Sequence, residues 1–232
     1  MTSINARAII LDTETHDLNG LPIEIAYAPV DIVQGTLVLD KEQIFDQYFQ
    51  VGEKISYGSM AVHHILESDL INQPDYRSFK LPIETQYIIG HNIEYDMNAI
   101  ARCGIDIQPL KSICTLALAR QVWKNLEAYN MSALVYYVSK GSEKARQMLK
   151  NAHRADADII LTANVLMHML KELQVNNIEE LYQISEQALI PTTIHFGKYK
   201  GTALTDLPKD YVDWLLSKDD LDSRLRQVLQ NL

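Results

Sequence analysis

A short apolar run near the N-terminus, AIILD at residues 8–12, most strongly constrains the fold because it ends directly in a carboxylate. Four consecutive apolar side chains leave no polar face, which is typical of a central strand covered on both sides. Residues 23–30 are predicted to be a second strand, residues 36–39 and 44–49 a third, interrupted one, and residues 86–90 a further short buried strand. The short links between the first strands favour antiparallel pairing.

Helical patterns follow these strands and alternate with the last of them. They predict helices over residues 59–70, 93–103, 131–139, 142–150, 154–173 and 178–188. The predicted elements begin with several strands, and strands then alternate with helices. This order predicts an α/β fold with a mixed sheet flanked by helices. The pattern restarts after the 178–188 helix with IHFGKYKGTALTDLP. We therefore predict a main domain at 1–175, a helical linker at 176–192 and a small C-terminal α+β appendage at 193–232, which is too short to be stable without support.

Composition and charge exclude several classes of function. The apolar share of 47% and the charged share of 22% are typical of globular proteins. No apolar run reaches the ~18 residues of a membrane span, and the start of the chain lacks a signal-peptide layout. Two cysteines make neither a disulfide framework nor a metal site, which predicts a cytoplasmic protein without membrane contact. The net charge of −9 argues against tight coating of duplex DNA, but a few cations held by carboxylates could still bridge to phosphate.

Two carboxylates lie at the end of the first strand. Asp12 and Glu14 are two residues apart on an extended backbone, so their side chains project from the same face. Such close carboxylates repel each other unless a cation lies between them. The alternative is a strand that simply ends in a polar turn.

Two later stretches carry further acidic residues. In GHNIEYD, Asp96 lies in the first turns of a helix, where the helix dipole also favours a carboxylate, and Asn92 could be an N-cap. In HRADAD, Asp158 lies on a largely apolar helix, and a buried carboxylate there needs a cation or a partner. His153 precedes that helix, and an imidazole in such a loop can take a proton from water near neutral pH.

Taken together, these stretches resemble the DEDDh family of 3′–5′ exonucleases. Asp12 and Glu14 match its first motif, Asp96 its second, and His153 with Asp158 its third; the tyrosine subtype would need Tyr at position 154, which is Arg here. The resemblance covers most of residues 7–172 and implies a ribonuclease-H-like fold. It also implies two Mg²⁺ or Mn²⁺ ions held by the four carboxylates, with His153 as the general base. The expected reaction is release of nucleoside 5′-monophosphates from DNA 3′ ends.

Softer matches indicate where a substrate would bind. Thr15, Leu18 and Met60 are candidates to hold the terminal nucleotide, with Leu18 as an apolar wedge beside the base. His64, in SMAVHHIL, and Asn92 are further candidates. The alternative is ordinary packing, with Met60 in the core and His63 or His64 on the surface.

Other functions remain open on the sequence. The partner is predicted to be a single-stranded or frayed DNA 3′ end, but no motif reads the 2′-hydroxyl, so RNA is possible. A hydrolase of short oligonucleotides and a non-catalytic nucleic-acid-binding module are further alternatives, and the oligomeric state is open. The segment 193–232 resembles the C-terminal segment of the exodeoxyribonuclease X branch of the family. Its Lys198, Tyr199 and Lys200 could contact phosphate and a base, or the tyrosine could pack down and the lysines face solvent.

Overall fold

A computed structural model of the chain describes residues 7–232, so the first six residues of the predicted main domain lie outside the described part. The chain forms two compact units, one ending at Ser185 and the other comprising Glu186–Leu232. The predicted boundaries at 175 and 192 differ from this division, because the first part of the 178–188 helix packs within the first unit, as described below.

The first unit is built on a mixed sheet of six strands within residues 7–185. Their bounds are β1 Ala8–Thr15, β2 Pro22–Val33, β3 Thr36–Leu39, β4 Phe45–Tyr48, β5 Tyr87–Gly90 and β6 Lys111–Cys114. The order is β3-β2-β1-β5-β6, and β4 pairs with the N-terminal half of β2. β1 is antiparallel to β2 but parallel to β5, and β5 is parallel to β6. The mixed sheet is confirmed, but the predicted third, interrupted strand is two separate strands, since β3 pairs with the C-terminal part of β2 and β4 with its N-terminal half.

Helices occur in both units. They are α1 Tyr57–His63, α2 Glu94–Arg102, α3 Thr115–Val122, α4 Met131–Val138, α5 Glu143–Met148, α6 Ala155–Leu173, α7 Ile178–Ala188, α8 Lys209–Leu216 and α9 Ser223–Gln230. Short 3₁₀ turns lie at Lys41–Gln43, Glu67–Leu70, Tyr76–Ser78, Leu149–Asn151 and Leu204–Asp206. In the described part of the chain, no helix is long and apolar enough to cross a membrane.

The core lies between the sheet and α6. α6 packs on β1 and β2 and is flanked by α3 and α4. Ile9, Ile10 and Leu11 of β1 and Ile88 and Ile89 of β5 are at most 1% exposed, as expected for continuous apolar runs covered on both faces. Burial of such side chains stabilises the sheet by about 1.5–3 kcal/mol each. The carboxyl ends of β1 and β5 are thereby held at a fixed separation.

One predicted helix is divided in two. The pattern over 59–70 forms α1 and then a separate 3₁₀ turn, because His64 adopts a left-handed backbone conformation with φ 59°. The amide of His64 closes the last turn of α1 by donating to the Met60 carbonyl. The chain then leaves the helix, which ends α1 before Ile65 enters the core.

α7 is not a free linker in its first part. The Cys114 amide donates to Ser185 Oγ at 2.9 Å, and Lys111 Nζ lies 2.9 Å from Glu179 Oε2. Tyr182 packs edge-on against Tyr87. These contacts tie α7 to β5 and β6.

The second unit has its own small core, formed by Ile194, Leu204, Leu207, Leu215, Leu225 and Leu229. Its β component is a single antiparallel bridge between Thr193 and Ala203, and the remainder is helical or irregular. Tyr199 packs against this core and contacts the Tyr211 ring at 4.6 Å between centroids. This arrangement favours the alternative in which the tyrosine packs down.

Candidate active site

The first pair of carboxylates lies on the last residues of β1. Asp12 and Glu14 are half-buried, whereas Thr13 and Thr15 between and after them are buried. This alternation is the two-residue period of a strand, so the two carboxylates share one face, as predicted. In the register with β2, Glu14 lies opposite Glu24.

Asp96 reaches the same place from the neighbouring strand and helix. It lies in the first turn of α2, directly after β5, and is buried. Thr13 Oγ1 donates a 2.8 Å hydrogen bond to Asp96 Oδ1. At Gly90, between the two motifs, a Cβ would lie 2.6 Å from Ile93 Cδ1 and 3.1 Å from the Leu11 carbonyl oxygen, so a larger residue would crowd β1 and the start of α2. Parallel pairing of β1 with β5 therefore brings the first and second motifs together.

The third motif closes the site from α6. Ligand atoms of Glu14, His153 and Asp158 all lie within 4.8 Å of one another. His153 precedes α6, as predicted, and its exposed side chain stands on a left-handed backbone with φ 68°. Its amide donates to Asp158 Oδ2 at 3.0 Å.

The four carboxylates repel one another in the protein alone. Burial, followed by the charges of Asp96 and Asp158, raises the pKa of Asp12 well above its usual range. Burial and the charges of Asp158 and Glu24 raise the pKa of Glu14 to about 9. Burial also raises the pKa of Asp96 to about 7, although the Thr13 hydroxyl opposes this rise. Burial raises the pKa of Asp158 to about 6, and the amide of His153 opposes that rise.

This donor set fits divalent cations with a preference for hard oxygen ligands. Four carboxylates converge and include no thiolate, and their raised pKa values mark a concentration of negative charge that a bound cation would relieve. A zinc site would instead be expected to use cysteine or several histidines.

The five candidate substrate residues lie in different environments. Leu18 is 75% exposed in the β1–β2 turn, and His64 and Asn92 are exposed on left-handed backbones. Met60 is half-buried and packs against the cluster containing Ile23, Ile55 and Ile65. Thr15 is buried, and its hydroxyl contacts the Tyr95 hydroxyl and the Asp17 carbonyl. Asn92 is not the N-cap of α2, since that position is occupied by Ile93.

Sequence reasoning underweighted three residues beside the site. His63, rather than His64, is the buried histidine of α1, and its Nδ1 accepts from the Ile65 amide. Glu24 is fully buried in β2, where an acid within the apolar run IEIAYA was the available signal. Arg154 pairs with Glu24 at 3.1 Å from Nε to Oε1, and no sequence pattern linked these two positions.

Comparison with known families decides the class. The model of the Exonuclease family, RNase T, matches residues 9–166, which contain all five predicted catalytic positions. The chain belongs to the exonuclease family. Residues 183–232 separately match the family model for a quorum-sensing-regulated virulence factor.

Relatives of known name extend this similarity. Exodeoxyribonuclease 10 of Escherichia coli K12 is 28% identical over 228 residues, covering 96% of both chains. The 3′–5′ exonuclease DinG of Staphylococcus saprophyticus is 27% identical over 133 residues, covering 52% of this chain but 14% of that protein. The similarity to exodeoxyribonuclease 10 thus includes the second unit, as the C-terminal resemblance predicted.

Solved structures support the same fold. Exonuclease X in complex with 5′ overhanging duplex DNA is 26% identical, covering 77% of this chain and 99% of that chain with a TM-score of 0.59. The nuclease domain of 3′hExo, a DEDDh family member bound to rAMP, is 12% identical, covering 71% of this chain and 91% of that chain with a TM-score of 0.50. The predicted ribonuclease-H-like fold and the predicted exonuclease are therefore confirmed.

Proposed function

We propose that this exonuclease is a metal-dependent 3′–5′ exodeoxyribonuclease that releases nucleoside 5′-monophosphates from DNA 3′ ends. The observation that carries the proposal is the convergence of Asp12, Glu14, Asp96 and Asp158 with His153. Ligand atoms of Glu14, His153 and Asp158 lie within 4.8 Å of one another, and burial and mutual repulsion raise the pKa values of all four carboxylates. DNA as substrate is supported by the names of exodeoxyribonuclease 10 and of the exonuclease X–DNA complex.

The four carboxylates would hold two divalent cations, Mg²⁺ or Mn²⁺. When bound, such ions neutralise charge on the scissile phosphate and acidify water. This role reconciles a net charge of −9 with a polyanionic substrate.

His153 would move the proton. Its exposed side chain faces Glu14 and Asp158 from the loop before α6, so it can take a proton from attacking water and release it to solvent. Thr13 would hold Asp96 in one orientation through its 2.8 Å hydrogen bond. A carboxylate that is already held in one orientation does not have to be reoriented during the reaction, which lowers the entropic part of the barrier.

The terminal nucleotide would lie against the β1–β2 turn. Leu18 exposes 75% of its surface there, which suits an apolar side chain that stacks against a base. The rest of the nucleotide would be contacted by Met60, His64 and Asn92. Thr15 would contact the nucleotide through its shape and would not donate a hydrogen bond to it, because its hydroxyl already contacts the Tyr95 hydroxyl and the Asp17 carbonyl.

A substrate panel tests this proposal. Matched 5′-labelled single-stranded DNA, duplex DNA with a 5′ overhang, RNA and a dinucleotide are incubated with Mg²⁺, Mn²⁺ or EDTA. The wild type is compared with Asp12→Ala and with Glu53→Ala, which removes an exposed carboxylate outside the site. We expect a metal-dependent ladder that shortens DNA from its 3′ end, present with Glu53→Ala and absent with Asp12→Ala.

Other outcomes contradict separate parts of the proposal. Faster shortening of RNA would overturn DNA as the substrate, and cleavage restricted to the dinucleotide would indicate an oligonucleotide hydrolase. Binding without cleavage under every metal would indicate a non-catalytic module.

A further inference from the structure

Glu24 is an ionisable residue in the middle of the sheet. It is 0% exposed, between the equally buried Ile23 and Ile25 of β2. A carboxylate in this environment is costly unless charged or polar partners surround it. Glu24 belongs to none of the three family motifs, yet it lies opposite Glu14 in the sheet register.

Its partners come from the two residues that follow His153. Arg154 Nε donates to Glu24 Oε1 at 3.1 Å, and the Ala155 amide donates to Glu24 Oε2 at 3.2 Å. Arg154 occupies the N-cap position of α6 but provides no side-chain cap. The distant carboxylate therefore satisfies an amide that the start of a helix leaves unpaired, and its charge also suits the helix dipole.

The arginine is held on several sides. The carboxylates of Glu24, Asp46 and Asp156 lie within 4.8 Å of one another, and all three interact electrostatically with the Arg154 guanidinium. Its Cζ also lies 5.4 Å from the centre of the Tyr48 ring. Arg154 is thus directed toward β2 and β4, whereas the adjacent His153 faces Glu14 and Asp158.

The backbone of His153 requires such support. Its φ of 68° is left-handed, which costs about 1–2 kcal/mol for a residue other than glycine. Two hydrogen bonds close the loop: His153 N to Asp158 Oδ2 at 3.0 Å and Asp158 N to the Arg154 carbonyl at 2.9 Å. The Glu24 contacts then fix the residues immediately after the strained one.

We propose that Glu24 and Arg154 position His153, holding the loop before α6 so that the imidazole stays beside Glu14 and Asp158. Both are positioning residues, since neither belongs to the predicted metal ligands. This inference rests on the proposed function, in which His153 accepts the proton.

The test compares three variants with a control. Glu24→Gln and Arg154→Met each remove one charge, and the double variant removes both and so leaves no unpaired buried charge. The control, Lys111→Met, breaks a different ion pair of the first unit, with Glu179. On 5′-labelled single-stranded DNA with saturating Mg²⁺, we expect kcat to fall about 10- to 100-fold in the three variants. We expect KM and the half-saturating Mg²⁺ concentration to change less than about twofold, and Lys111→Met to retain the wild-type kcat.

A double-mutant cycle separates positioning from general stability. In a His153→Ala background, the further loss caused by the Glu24→Gln/Arg154→Met pair should be less than about threefold, because the group being positioned is gone. An undiminished loss in that background would overturn the proposal, as would a wild-type kcat in the double variant.

Amide exchange gives a readout independent of catalysis. In EDTA, the Ala155 amide should exchange about tenfold faster in Glu24→Leu, which has no oxygen to accept from that amide, than in the wild type, with β1 amides unchanged. Equal exchange of Ala155 would contradict the proposed anchor even if the wild type proved inactive on DNA. Failure of the proposed function is recognised separately, by a wild type that shortens neither DNA nor RNA.

Discussion

Replacing Glu14 by glutamine should change stability in opposite directions with and without metal. Glu14 is half-buried, and burial together with Asp158 and Glu24 raises its pKa from 4.5 to about 9. The resulting contribution to stability is fully present below about pH 4.5 and is lost as the pH rises toward about 9, because the unfolded chain releases the proton more readily. An amide of the same shape does not pay this cost.

The magnitude follows from the shift in pKa. At pH 7 the unfolded chain is about 2.5 pH units above the usual glutamate pKa, which at about 1.4 kcal/mol per unit corresponds to about 3.5 kcal/mol. Partial exposure of Glu14 to solvent reduces this to about 2 kcal/mol. For a chain of this size, Glu14→Gln should therefore raise the melting temperature in EDTA by about 4–8 °C.

Divalent metal should make the wild type more stable than Glu14→Gln. Mg²⁺ at about 100 times its dissociation constant would stabilise the wild type by about 2.7 kcal/mol and the variant much less. The assay is thermal unfolding followed by circular dichroism between pH 5 and pH 9, in EDTA and in Mg²⁺. Glu53→Gln, an exposed substitution of the same chemistry, is the control. The reasoning is refuted if Glu14→Gln is less stable than the wild type in EDTA at pH 8, or if the difference does not grow between pH 5 and pH 9.

Four further predictions test the site and the packing. His153→Ala should lower kcat about 10²- to 10⁴-fold while preserving the Mg²⁺-dependent rise in melting temperature; a near-normal kcat at neutral pH contradicts its role as base. Ser185→Ala leaves the buried Cys114 amide without its 2.9 Å partner and should cost about 1–3 kcal/mol in urea unfolding. Leu215→Ala, in the core of the second unit, should cost about 2–5 kcal/mol by the same measurement, and an unchanged midpoint would argue against that core. Burial raises the pKa of the Cys103 thiol to about 12, so a disulfide reagent at pH 8 should modify it only after denaturation.

The strand pattern and the position of each motif on its strand or helix were predictable from the sequence, because they depend on residues that are close together in the chain. An apolar run ending in Asp12 predicts a buried strand whose last carboxylates share a face, and β1 has this form. The position of His153 was likewise predictable, since a spacing of five residues to Asp158 does not fit one face of a regular helix. Local spacing was also enough to place Asp96 at the start of a helix after a buried strand.

Other features depend on contacts between distant residues. Parallel pairing of β1 with β5 and the hydrogen bond from Thr13 to Asp96 decide how Asp96 comes to the first motif. The choice between His63 and His64 as the buried residue depends on the left-handed backbone that ends α1. The 178–188 helix looked like a linker, but Ser185 and Glu179 attach it to β6.

The sequence by itself therefore predicted most element types, because periodicity is a property of neighbouring residues, and its resemblance to a known family implied the five residues of the candidate site. The tertiary structure alone decided which groups surround those five residues. The pairing of Glu24 with Arg154 joins positions 130 residues apart in the chain. Such a contact forms only when β2 and the start of α6 are packed together, and its stability comes from burial that no local pattern encodes.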